Sequence, residues 1–82
     1  MAMADPRDIE ATKYARREFI KHRLDVTMAE IRVSHGVVYI RGIVRRDPQA
    51  HYDNVSNETE RVGRLLKQRP EIRDVVVEAK FL

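Results

Sequence analysis

The chain has no cysteine and no tryptophan, only five other aromatic residues, and three each of glycine and proline. Without cysteine, disulfides and thiolate chemistry are excluded, although nothing follows about compartment. Five aromatics with no stacking motif among them, and a small charge excess, weigh against nucleic acid as a partner. No apolar run approaches the roughly 20 residues of a membrane span, so the chain is not expected to cross a bilayer. The opening stretch "MAMADPRDIE" lacks the apolar core of a secretory signal. As it stands the chain is expected in the cytoplasm, or at the cell envelope if a leader has been removed.

The sequence also lacks a nucleophile elbow, a phosphate-binding loop and a glycine-rich dinucleotide fingerprint. Its histidines, His22, His35 and His51, are far apart and show no metal-ligand spacing. The acid pair Glu58 and Glu60 sits on an amphipathic segment and reads as solvated. No catalytic site, metal or cofactor is expected.

What is present describes one small globular domain. At 82 residues, 43% apolar and 35% charged, the chain has the composition of a folded protein with a thin core. The net charge of +3 permits anionic partners without demanding one. Residues 1–5 read as a flexible N-terminus, and 6–82 as a single domain.

"ADPRD" carries a helix start: Asp5 as cap, Pro6 in the first turn, Asp8 at the positive dipole end. No Gly or Pro interrupts the chain until Gly36, so the helix is predicted from about Pro6 to His22. Ala11, Ala15 and Phe19 form one row on it, Ile9 and Ile20 an adjacent one, and Lys13, Arg17 and Lys21 a basic ridge.

"IRVSHGVVYIRGIV" then reads as a hairpin within residues 26–44, turning at His35-Gly36. This register sets Val33 against Val38, Ile31 against Ile40, Ala29 against Gly42 and Thr27 against Val44 on one face. On the other it sets Glu30 against Arg41, Arg32 against Tyr39 and Met28 against Ile43. Apolar meets apolar inside, and opposite charges meet outside. Ala29 and Gly42 are expected to leave room for a helix backbone.

A polar loop, "RRDPQAHYDN", leads to a second helix from Asn54 or Ser56 to about Gln68. Its predicted stripe is Val55, Thr59, Val62, Leu65 and Leu66, and Arg69-Pro70 ends it. "RDVVVEAKFL" closes the chain as a strand with Val75, Val77, Ala79 and Phe81 on one face. The fold class is therefore α+β, in the order α-β-β-α-β. Both helices pack on one face of a three-stranded mixed sheet, the face lined by Val38, Ile40, Val77 and Phe81. A right-handed crossover makes the last pair parallel and the second strand central.

This order, together with "DVTMAEIRVSHGVVYIRGIV", resembles the BON domain, the bacterial osmotic-shock and nodulation module. The matching positions are Asp25, Ile31, Val33, Gly36, Val37, Val38, Ile40, Gly42 and Val44, then Pro70, Ile72, Val75 and Val77 in "RPEIRDVVVEAKF". Glu71 stands where that family usually has glycine. The resemblance implies a non-enzymatic binding module that contacts anionic phospholipid or a protein partner, as a monomer or weak dimer.

Two candidate surfaces follow. Lys13, Arg17 and Lys21, joined by Arg45 and Arg46 at the start of the loop, make an anionic-surface site; the alternative is a solvated helix face and a solvated connector. Met28, Val37, Tyr39 and Ile43, with Val76, lie on the sheet face opposite the helices and make a partner-binding or self-association face. The alternative there is a face covered by long Arg and Glu stems.

Overall fold

The computed structural model describes residues 5–82. The tail expected over residues 1–5 lies outside them except for Asp5, which caps the first helix. α1 (Pro6–Lys21) begins as its cap predicts, with the Asp5 carboxylate accepting from the Arg7 N–H at 2.8 Å. β1 (Leu24–Ser34) and β2 (Val37–Arg46) form the hairpin, α2 (Val55–Leu66) follows, and β3 (Asp74–Phe81) closes the chain. The sheet order is β1-β2-β3, antiparallel then parallel, so β2 is central and bonded on both edges.

From Met28–Ile43 to the turn, the hairpin register is the one expected. His35 and Gly36 both take positive φ, 51° and 79°, as a two-residue primed turn requires. The N–H groups of that turn are held by α1: the Asp8 carboxylate accepts from His35 at 3.0 Å and from Gly36 at 3.3 Å. Asp8 thus serves the hairpin as well as its own helix end.

The expected pairing of Thr27 with Val44 does not form. The register shifts between Asp25 and Met28, which leaves Val26 buried and Thr27 exposed. Asp25 fixes this bulge by accepting from the Thr27 N–H at 3.0 Å and hydroxyl at 2.7 Å. Gly42 also departs from expectation, since it is exposed and no helix approaches it. Its φ is +98°, and a Cβ there would lie 2.6 Å from the Met28 carbonyl oxygen. The sheet needs glycine at this position for the backbone of β1, not for a helix.

The core lies between the helices and one sheet face. Ala11, Ala15 and Phe19 from α1 meet Ile31, Val33, Val38 and Ile40; Val55, Val62 and Leu66 from α2 complete it. Thr59 is fully buried, and its hydroxyl donates to the Val55 carbonyl at 2.8 Å. Leu65 is only half-buried, and Ile9 and Ile20 are exposed. α1 lies mainly on β1, while α2 spreads across all three strands. Val77 points to the helical side, paired with Ile40, but stays 38% exposed because α2 does not reach over the outer edge of β3.

Ile40 is fully buried on the central strand. Ile40→Ala is expected to cost about 2–5 kcal/mol as a large-to-small core change, and the exposed Arg17→Ala less than about 0.5 kcal/mol. Gly42→Ala should cost about 1–3 kcal/mol or more, from left-handed backbone and contact with β1. Urea melts of the three variants check the ranking; a mild Gly42→Ala would show that the two strands can separate there.

Candidate functional site

The helical repeat puts Lys13, Arg17 and Lys21 on one exposed side of α1. The fold then adds residues that are remote in sequence. After α2 the chain turns through Arg69-Pro70-Glu71, with the Ile72 N–H donating to the Arg69 carbonyl at 3.0 Å and Ile72 buried. The turn lays the Arg69 guanidinium over the Tyr14 ring, 4.1 Å from its centroid. A groove of about 620 Å³ results, lined by Arg7, Lys13, Arg17 and Arg69, with Glu10 and Glu71 as its acids.

The cations of this groove differ in how far they are engaged. Arg7 pairs with Asp5 at 3.3 Å and Lys13 with Glu10 at 3.9 Å. Arg69 forms an ion pair with Glu71. That contact holds the Glu71 carboxyl below its ordinary range and the Arg69 guanidinium above its own. Arg17 has no ion-pair partner among the described residues. Lys21, at the end of the helix, does not line the groove.

Arg45 and Arg46 are not gathered into this site. Arg45 donates to Asp25 at 3.0 Å across the hairpin. Arg46 clamps the following loop, donating to the Ala50 carbonyl at 2.7 Å and the Tyr52 carbonyl at 2.9 Å. Ala50 is buried, and the Tyr52 hydroxyl donates to the Arg23 carbonyl at 2.6 Å. Residues 45–54 are therefore a pinned connection, not a freely solvated one. Burial pushes the Tyr52 phenol up.

The sheet face opposite the helices carries Met28, Val37, Tyr39, Ile43 and Val76, as the alternation requires. Met28 is 55% exposed, whereas the others are half-buried. Arg41 lies over the Tyr39 ring at 5.2 Å and pairs with Glu78 at 3.6 Å. Charged stems thus shelter part of the apolar group.

Glu58, expected to be solvated, is 12% exposed. Its carboxylate meets His22 Nδ1 at 3.1 Å, while His22 Nε2 faces Glu18, itself 15% exposed, at 3.7 Å. This contact ties the end of α1 to α2. Sequence spacing could not reveal it, because the partners lie on separate elements. The same holds for Arg69 over Tyr14. Among the described residues no acid and histidine cluster forms a metal-binding group, and no helix is long and apolar enough to cross a membrane.

The Asp25 carboxyl is held below its ordinary value of 3.8, first by the Thr27 hydroxyl, then by the Thr27 N–H, and then by Arg45. A depressed carboxylate contributes stability that is present above the ordinary value and lost as pH falls through the lower, folded value. Asp25→Asn should therefore melt below wild type near neutral pH, and the gap should close as pH falls below 3.8. Thermal melts across that range test this; a gap independent of pH would assign the effect to geometry alone.

No protein-family model, curated protein or solved structure matches this chain.

Proposed function

We propose that this domain is a small non-enzymatic binding module, similar to BON domains, that meets anionic phospholipid surfaces through the α1 groove. One observation carries the reading: Arg7, Lys13, Arg17 and Arg69 converge on a single exposed groove. Basic residues next to an anionic leaflet are attracted by about 1 kcal/mol each. Three of the four already hold an acid, so their pull is partly neutralised, and Arg17 is the groove's least engaged cation. Tyr14 is covered by Arg69 and is not a free apolar anchor, so contact is electrostatic and weak.

A second reading rests on Met28, which stands exposed on the open sheet face. There the domain meets a protein partner through Met28, Val37, Tyr39 and Ile43. The Arg41 guanidinium over Tyr39 and its pairing with Glu78 favour the groove instead.

Chemical-shift titration with anionic and zwitterionic micelles separates the two. Shifts should centre on residues 7–17 and 69–71, appear only with the anionic micelle, and fade with salt, since screening acts within about 8 Å at physiological ionic strength. Arg17→Ala should weaken binding about fivefold, the loss of one basic residue near a charged surface. Arg45→Ala should leave it nearly unchanged. Equal shifts with both micelles, or shifts confined to Val37, Tyr39 and Ile43, would transfer the site to the sheet face.

A further inference from the structure

The two edges of the sheet are treated differently. Along β1 two of the outward N–H groups have partners, one near each end of the strand. The Thr27 N–H donates to Asp25 at 3.0 Å, and the Val33 N–H to the Thr12 hydroxyl of α1 at 3.0 Å. The bulge between Asp25 and Met28 breaks that edge as well. β3 has less cover and no bulge. The Leu82 N–H donates to Val44 at 3.0 Å and its carbonyl accepts from Arg46 at 3.3 Å, so the even-numbered residues face β2. By alternation, the backbone groups of Val75, Val77, Ala79 and Phe81 face outward. Among the described residues only the Val75 N–H has a partner there, Asp74 Oδ1 at 2.8 Å. The exposed Val77 side chain sits beside this bare edge.

We propose that the β3 edge pairs with β3 of a second copy of this chain, antiparallel, about a two-fold axis at Val77. A two-fold axis normal to the sheet keeps both helical layers on one side, so residues of like face must meet and the axis must pass through a residue. Centred on Val77, the register sets Val77 against Val77 and Val75 against Ala79 on the helical side. On the open side it sets Asp74 against Lys80, twice, and Val76 against Glu78. Centring on Glu78 puts two glutamates face to face, centring on Val76 sets Asp74 against Glu78, and centring on Ala79 shortens the overlap. The outward groups of Val77 exchange two hydrogen bonds across the axis. Asp74, whose carboxylate also pairs with Lys67 at 3.3 Å, leaves the Val75 N–H, which bonds Ala79 of the second copy, and turns to Lys80. The product is a six-stranded sheet whose outer edges are both β1, where the bulge and the bonded N–H groups of Thr27 and Val33 interrupt further pairing.

Sedimentation equilibrium across a range of protein concentration tests this. Wild type should show a reversible monomer–dimer equilibrium. Asp74→Lys and Lys80→Asp should each weaken it roughly tenfold or more, because two unlike pairs become like pairs. Mixing the two variants in equal amounts should restore a dimer, since both cross-strand pairs are then unlike again. Val77→Lys, which sets two cations on the axis, should abolish association, and circular dichroism melts establish that each variant is folded. If Asp74→Lys does not fold without its Lys67 contact, Lys80→Asp and Val77→Lys decide the matter. A wild type monomeric up to about millimolar protein overturns the proposal. So do folded single variants that associate as tightly as wild type, a mixture that stays monomeric, or a dimer lost only on Met28→Lys.

Discussion

The antiparallel register that sets Ile31 against Ile40 is the constraint on which the fold depends. A slip by one residue would invert one strand against the other, either turning Ile31 and Val33 to the open face with Arg32 inward or turning Val38 and Ile40 outward with Arg41 inward. No helix could then dock, because a buried unpaired guanidinium costs far more than a valine contributes. β2 carries most of this burden. It is bonded on both edges and covered on one face, so Val38, Ile40 and Val44 are fully buried. That position explains why it is more apolar than β1, whose exposed residues Glu30 and Arg32 have water on one side and no strand on the outer edge.

Polar contacts then convert the hairpin into a platform for α1. Asp8 bonds the N–H groups of the turn, Thr12 bonds the N–H of Val33, and Phe19 is buried below them. The Thr12 hydroxyl also donates to the Asp8 carbonyl at 2.8 Å, so one side chain closes a helix turn and caps a strand edge. Each of these bonds adds on the order of 1 kcal/mol, and each also satisfies a donor that packing has partly removed from water. At the other end of α1, Arg23 takes a left-handed φ of 61° without being glycine. Its carbonyl is held by the Tyr52 hydroxyl and by the Asp47 N–H at 3.3 Å, so the loop that Arg46 pins also steadies this strained junction.

What could be read from the sequence follows the range of the interactions. Helix caps at Asp5 and Asn54, the His35-Gly36 turn and the register from Met28 to Val38 are local, and their chemistry is written in neighbouring residues. The bulge was not legible, because Thr27 and Val26 suit a strand equally well and only the Asp25 side chain decides which of them points inward. Gly42 was legible as special, but its cause lies in the Met28 carbonyl of the other strand. In the candidate site, the ridge Lys13, Arg17 and Lys21 followed from helical spacing. Arg69 did not, since nothing local relates it to Tyr14. Arg45 and Arg46 look like free cations in a polar run, yet the fold supplies Asp25 to one and two loop carbonyls to the other.

The crossover through α2 explains where the exposed features lie. A right-handed β-α-β unit must bring its helix back across the sheet before the last strand begins. α2 therefore centres over the middle of the sheet, and its stripe of Val55, Val62 and Leu66 is used up on the core shared with α1. The outer edge of β3 is left beyond its reach, which is why Val77 is exposed although it faces the helical side. The same return path ends in a tight turn. Burying Ile72 anchors that turn to the core, while Arg69 comes to lie on Tyr14 beside the N-terminal half of α1. A cationic groove at one end of the helical layer and a bare strand edge at its side are thus two results of one topological requirement: a single crossover helix cannot cover both.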